Sequence, residues 1–212
     1  MTENITVNGQ NSVRIVDGDK VIYIDPFQIK EASKDADYIL VTHEHYDHFS
    51  LEDIEKVAGQ DCILVVPETM QKKAASAEKL VKRIVPVKVG EAYDVDSLKI
   101  ETVAMYNILK PFHPKSAGWV GYVVTANGER VYVAGDIDDI KEAKAVKCDV
   151  AVLPIGGFYT MDAKKAAEVV NHIRPKAAIP VHYGALVGKP EDGEAFAAMV
   201  DQGISVEFKI KF

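Results

Sequence analysis

The sequence predicts a layered α+β fold from the order of its strand-like and helix-like segments. Residues 5–25 and 37–41 are short runs rich in strand-forming residues, and residues 51–58 then carry apolar side chains at helical spacing. The order repeats later, where strand-like runs over 119–133 come before a predicted helix over about 162–174. Two groups of strands, each followed by helices, indicate sheets that are covered by helices.

In the first half, Asp17-Gly18 is a favoured hairpin turn between two strands. Residues 62–66 are a continuous apolar run closed by Pro67, which predicts a buried strand. Residues 68–83 resemble a helix whose basic side chains form a solvated face, not an RNA site. The alternating segments over 84–104 are expected to continue the first sheet.

In the second half, Asn127-Gly128 predicts a type I′ hairpin. Residues 149–154 form a predicted strand, and the helix over about 162–174 should end before Pro175. A further helix near 191–202 and a final strand over 204–212 complete the pattern. With no linker or low-complexity segment visible, residues 1–212 are expected to form a single domain.

The composition is that of an ordinary globular protein, with 48% hydrophobic and 27% charged residues. A net charge of −7 argues against a broad nucleic-acid surface. No secretory signal and no apolar run of membrane-spanning length is apparent, so a cytoplasmic location is expected. Cys62 and Cys148 are expected to be free thiols, with a disulfide between them as the alternative.

The most informative stretch is the motif H-x-H-x-D-H, which leaves a predicted strand and precedes a helix-capping sequence at Ser50. In extended backbone the side chains of residues i and i+2 point the same way, so His43 and His45 can share one metal ion. Asp47 and His48 follow the turn and can reach a second ion. Imidazole and carboxylate together suit zinc, iron and similar metals.

This motif resembles the signature of the metallo-β-lactamase-fold superfamily of metal-dependent hydrolases. The small branch that is similar to the ascorbate-6-phosphate lactonases and to N-acyl phosphatidylethanolamine phospholipase D matches best, and the resemblance extends over nearly the whole chain. It implies a four-layer αββα sandwich. It also implies that Asp136 bridges two metals, that His182 binds the second metal, and that Asp25 supports the site from behind the ligands.

The superfamily places a third histidine ligand in this part of the chain, and two residues here are candidates for that position. Asn107 lies at the strand end where several relatives carry a histidine, and His113 follows six residues later between Pro111 and Pro114. Imidazole is the better ligand for a transition metal, and the prolines restrict the loop. His113 is therefore the favoured ligand, with Asn107 or water as the alternative.

The expected activity is hydrolysis of a small ester, lactone or phosphodiester by a metal-bridged hydroxide, with Asp47 and Asp136 as catalytic residues. The expected cofactors are two divalent transition metals, with zinc favoured over manganese or iron. The alternative is a non-hydrolytic sensor, structural or redox member of the same fold. The expected partner is a small-molecule substrate, whereas substrate identity and oligomeric state stay open.

Several further residues are candidates for substrate contacts. Tyr159 and Tyr183 could donate hydrogen bonds to an oxyanion, although packing roles are favoured for both. Lys110 and Lys115 could attract an anionic substrate, or they could be ordinary solvated loop lysines. His172 is expected at a helix end without a metal role.

Overall fold

The computed structural model describes all residues 1–212 and contains two mixed β-sheets. The six-stranded first sheet has its strands in chain order, namely β1 (Ile5–Gly9), β2 (Ser12–Asp17), β3 (Lys20–Ile24), β4 (Ala36–Leu40), β5 (Ala58–Pro67) and β6 (Arg83–Val87). The seven-stranded second sheet runs in reverse chain order from β13 to β7, with β7 (Ala92–Val95), β8 (Leu98–Ala104), β9 (Val120–Ala126), β10 (Glu129–Val133), β11 (Val150–Pro154), β12 (Ala177–Val181) and β13 (Ser205–Val206).

Five α-helices accompany the sheets. They are α1 (Leu51–Val57), α2 (Gln71–Ala74), α3 (Lys141–Lys144), α4 (Ala163–Ile173) and α5 (Asp192–Met199). Ser50 caps α1 by accepting a hydrogen bond from the Asp53 backbone N–H, and Asp162 caps α4 in the same way through Lys165. No helix combines the length and the apolar character that crossing a bilayer would require.

The two sheets pack face to face and the helices cover their outer faces. Alternate residues of both sheets, including Ile24 and Leu40 from the first and Val131 and Val152 from the second, form the inner core. On the outer faces, Ile54 of α1 and the buried side of α4 belong to a second apolar cluster. This arrangement is the predicted αββα sandwich.

Both predicted hairpins form. β2 and β3 pair antiparallel with Asp17 opposite Lys20, so the two turn residues are Gly18 and Asp19, one residue later than predicted. Asn127 and Gly128 have φ of 52° and 75°, as a type I′ turn between β9 and β10 requires.

Three sequence-based element predictions are wrong in part. Residues 68–83 do not form one helix, because only short helical turns occupy 68–77 and β6 already begins at Arg83. Of the segments over 84–104, only β6 extends the first sheet, whereas β7 and β8 form the edge of the second. The predicted strand over 204–212 shrinks to Ser205–Val206, where pairing with β12 ends. The apolar pattern located these segments but did not specify their partners.

Candidate metal centre

The candidate centre lies where several strands end at one edge of the sandwich. Asp25 follows β3, the H-x-H-x-D-H motif follows β4, Asp136 follows β10 and His182 follows β12. The loop after β8 adds His113. In parallel strands the carboxyl ends meet at the same edge of a sheet, which explains how residues so far apart in sequence converge.

Three groups of potential ligand atoms form at this edge, with the atoms of each group within 4.8 Å of one another. They are His43, His45 and His113; His43, His48 and Asp136; and Asp47, His48 and His182. All the predicted ligand residues therefore come together. The Nε2 of His43 and the Nδ1 of His45 lie 3.0 Å apart, as the i, i+2 spacing predicts.

Asp136 lies between the groups. Its Oδ1 is 3.4 Å from His48 Nε2, and its Oδ2 is 3.4 Å from His113 Nε2 and 3.3 Å from His182 Nε2. Gly135, with φ of 67°, makes this approach possible, because a Cβ at that position would lie 2.7 Å from the Met105 Sδ. One carboxylate thus faces ligands from both halves of the centre.

A buried hydrogen-bond chain around Asp25 orients two of the histidines. Asp25 accepts from the Thr42 hydroxyl at 2.6 Å and from the Thr42 backbone N–H at 2.7 Å. It also lies 2.7 Å from His48 Nδ1, so that ring donates from Nδ1 and turns a free Nε2 toward the centre. Since the Thr42 hydroxyl donates to Asp25, it can accept from His43 Nδ1 at 3.0 Å, which frees His43 Nε2 as well.

The two loop candidates for the third ligand, His113 and Asn107, contact each other directly. Asn107 Oδ1 lies 2.7 Å from His113 Nδ1, and the Asn107 backbone N–H donates to the His113 carbonyl at 2.7 Å. The amide therefore contacts the ring edge opposite the centre, and it leaves His113 Nε2 facing Asp136. In the structure Asn107 thus holds the His113 ring through its Nδ1.

The electrostatics divide the centre into two parts. Burial lowers the pKa of His43 well below its usual value and lowers the pKa of His113 to about 4. For His182 burial would also lower the pKa, but the carboxylates of Asp136 and Asp47 outweigh it and raise the pKa to about 9. Burial would raise the pKa of Asp136, yet the nearby His182 and His48 hold it well below its ordinary value. The part of the centre that contains Asp47 and Asp136 thus favours a protonated, positively charged His182.

The remaining sequence candidates have other contacts. Lys110 is paired with Asp138 at 2.7 Å, and Lys115 is paired with Glu142 at 2.8 Å, so neither is an unpaired cation. The Tyr183 hydroxyl points toward α5, since a Cβ on Gly193 would lie 2.7 Å from it.

Tyr159 lines the cavity above the centre, whereas His172 is exposed at the end of α4. Cys62 and Cys148 are free thiols, as expected.

Sequence reasoning missed three residues around the centre. Gln10 lines the same cavity, and its backbone carbonyl accepts from the His182 N–H at 2.8 Å. Asn11 donates to Asp25 at 3.2 Å. The Trp119 ring lies 5.0 Å from that of His43 and 5.1 Å from that of His45. Only contacts between distant parts of the chain reveal these roles, and no local motif signals them.

Comparisons with known proteins agree with this architecture. Residues 4–182 match the family described as β-lactamase superfamily domain. A UPF0173 metal-dependent hydrolase of Thermus thermophilus is 34% identical over 200 residues, which cover 89% of this chain and 87% of the relative.

Two solved structures share the fold. A candidate metal-dependent hydrolase from Parabacteroides distasonis is 32% identical with a TM-score of 0.82, covering 98% of this chain and 93% of the other. The metallo hydrolase Igni18 from Ignicoccus hospitalis is 22% identical with a TM-score of 0.72, covering 98% and 95%, and shows the fold alone. The chain therefore belongs to the UPF0173 metal-dependent hydrolases of the β-lactamase superfamily.

Proposed function

We propose that the protein is a hydrolase that depends on two divalent metal ions, with zinc as the favoured metal and manganese or iron as alternatives. The observation that carries the proposal is the convergence of three ligand groups around one buried carboxylate, that of Asp136. In this assignment His43, His45 and His113 hold one ion, Asp47, His48 and His182 hold the other, and Asp136 serves both.

The donor atoms fit such ions well. The Nε2 atoms of His48, His113 and His182 and the Oδ1 of Asp136 are buried and have no hydrogen-bond partner. Leaving four such polar atoms unpaired is costly unless something binds them, and metal coordination satisfies all of them at once. Imidazole nitrogen and carboxylate oxygen are donors that zinc, manganese and iron accept.

When bound, two such ions would lower the pKa of a water molecule toward ~7 and polarise the carbonyl or phosphoryl group of a substrate. Asp47 is the carboxylate best placed to move protons, because its side chain is 14% exposed while that of Asp136 is 4% exposed. In ester hydrolysis, Asp47 would take a proton as the water oxygen bonds to the acyl carbon. It would return that proton to the alkoxide when the acyl C–O bond breaks.

The chain's own residues position this chemistry. Asp25 and Thr42 fix the orientation of His43 and His48, and Asn107 fixes that of His113. The hydrogen bonds are buried, so the rings are held before any ligand arrives. A small ester, lactone or phosphodiester is the substrate range we propose for this arrangement.

The test is to strip the protein with a chelator, reload it with zinc, manganese or iron, and measure turnover on matched carboxylic ester, lactone and phosphodiester substrates. We expect activity to disappear on stripping and to return with about two ions per chain. Turnover that is unchanged after complete metal removal would contradict the proposal. Full metal loading without turnover of any of the three classes would favour the non-hydrolytic alternative.

A further inference from the structure

A cavity of about 420 Å³ opens above the candidate centre. This volume lies in the range of small-molecule sites. Apart from the metal-site residues and Gln10, its walls are apolar or aromatic: Tyr46, Phe112, Tyr159, Leu186 and Val187. Phe112 and Tyr159 pack edge to face with ring centroids 4.7 Å apart, so two different loops supply one continuous wall.

The cavity has no cationic side chain to receive an anionic substrate. No lysine or arginine lines it. The nearest candidate from the sequence, Lys110, is held by Asp138 at 2.7 Å and by the Thr160 carbonyl at 2.6 Å. Apart from the two proposed ions, the cavity therefore offers no positive charge to the body of a substrate.

Gln10 is the neutral polar group of the cavity. The residue is 2% exposed, and neither its amide oxygen nor its amide nitrogen has a hydrogen-bond partner in the protein. Its backbone is fixed by the bond from the His182 N–H and by a positive φ of 47°. A buried unpaired amide costs free energy unless a ligand or water satisfies it, so this side chain is available for an uncharged hydrogen-bonding group.

We propose that the cavity selects an uncharged carboxylic ester or lactone with an apolar body, and that the Gln10 amide hydrogen-bonds to it. This assignment rests on the proposed hydrolytic function of the same centre and narrows its substrate class. The apolar walls bind the body of the substrate, and the Gln10 amide binds an uncharged polar group on it. A negative charge on that body, away from the two ions, finds no partner.

The kinetic test compares 4-carbamoylphenyl butyrate with 4-carboxyphenyl butyrate on the metal-loaded protein, because the two share the acyl group and nearly the same shape and differ in one negative charge. We expect kcat/KM to be at least about tenfold higher for the uncharged ester. Leu186→Lys, at the half-exposed rim, should reduce this preference about tenfold by supplying a cation. Val89→Lys, exposed and outside the cavity, is the matched control and should leave the ratio unchanged.

A binding test does not depend on turnover. The protein has one tryptophan, Trp119, which lies beside the centre, so its fluorescence can follow binding of the neutral ketone 4-phenyl-2-butanone. Gln10→Met keeps the side-chain length without the amide and should weaken binding about tenfold. Phe112→Ala should weaken it through lost apolar contact.

Equal or faster hydrolysis of 4-carboxyphenyl butyrate, or a preference for bis(p-nitrophenyl) phosphate, would overturn the substrate assignment while leaving metal-dependent hydrolysis intact. Ketone binding that neither Gln10→Met nor Phe112→Ala weakens would also overturn it. Conversely, Gln10-dependent ketone binding without turnover of any ester would support the cavity assignment and count against hydrolysis.

Discussion

At the scale of single residues, the centre depends on the groups behind the ligands as much as on the ligands. Each of three histidines has one ring nitrogen held by a buried oxygen, from Thr42, Asp25 or Asn107. The other nitrogen then keeps its lone pair for the centre. The H-x-H-x-D-H motif predicted which side chains of this stretch converge at the centre, but the contacts of Thr42 and Asn107 needed the folded structure.

Asp136→Ala should reduce metal content more than Asp25→Ala. Asp136 approaches His113, His48 and His182, so its loss should weaken both ions. Asp25 acts through His48 and Thr42. Removing a group that orients a metal ligand typically lowers metal affinity or activity about 10–100-fold. Metal analysis by mass spectrometry after equal dialysis compares the two variants, and equal loss would contradict this ranking.

His113→Ala and Asn107→Ala separate the two roles in the loop. His113→Ala should remove one ion preferentially and abolish most turnover, because His43 and His45 lose their third imidazole. Asn107→Ala should keep both ions at saturating metal and lower affinity about tenfold, since His113 remains but is less well oriented. Titration of metal content against turnover distinguishes the variants, and full metal retention in His113→Ala would reject the assignment.

Metal binding should release protons. A metal ion needs neutral imidazole, whereas His182, with a pKa raised to about 9, carries a proton at pH 7.5 in the metal-free protein. Apparent metal affinity should therefore rise with pH up to about 9. In the metal-free protein, the stability contributed by protonated His182 is fully present below its unfolded pKa of about 6.5 and lost as pH rises toward 9.

Calorimetry of zinc binding in buffers with different ionisation enthalpies measures this release. We expect at least two protons at pH 7.5, one from His182 and one from His48, because Asp136 and Asp25 outweigh burial and hold the His48 pKa well above its ordinary value. His172→Gln, at an exposed helix end, is the control that should not change this release. Zinc binding whose affinity is independent of pH between 6 and 9 would contradict the assignment of His182.

At the scale of elements, strand ends and tight turns carry the site, and sequence reasoning succeeded where their signals were local. The Ser50 cap, the two hairpins and the strand before the motif all follow from neighbouring residues. Sequence reasoning failed where pairing between distant strands determines the sheet, as for residues 84–104, whose strands belong to both sheets. Gln10 escaped notice for the same reason, because its partner His182 is distant in sequence.

Gly135→Ala tests the turn that presents Asp136. Both Gly135 and Gly18 have positive φ, of 67° and 60°, so alanine costs about 1–2 kcal/mol of unfolding free energy at either position. Only at Gly135 would the new Cβ also collide, at 2.7 Å from Met105 Sδ and 3.1 Å from Thr42, whereas Gly18 has open space.

Urea unfolding should therefore show a larger loss for Gly135→Ala than for the control Gly18→Ala, together with weakened metal binding. Equal losses in the two variants, with metal affinity retained, would show that the close approach at Gly135 does not matter to the centre.

At the scale of the whole molecule, the sandwich brings both halves of the chain to one edge. The first sheet contributes Asp25 and the H-x-H-x-D-H motif, and the second contributes Asp136 and His182. Neither half contains a complete donor set for two ions, so the inner apolar core that joins the sheets is also what assembles the centre. That residues 1–212 act as one domain remains a prediction.

The resemblance seen in the motifs was sufficient to predict the αββα layers, because the ordered set extends over both sheets. It could not predict the apolar cavity wall, since Phe112 and Tyr159 lie in loops whose approach to each other depends on the Lys110 contacts with Asp138 and Thr160. In our proposal, substrate selection therefore depends on the packing of these loops and not on the metal motif.

The most direct test of the central claim is an X-ray crystal structure of the zinc-loaded protein with anomalous data collected at the zinc edge. We expect two zinc peaks, one among His43, His45 and His113 and one among Asp47, His48 and His182, with Asp136 contacting both. A single peak, or a second zinc bound away from Asp47 and His182, would contradict the dinuclear assignment.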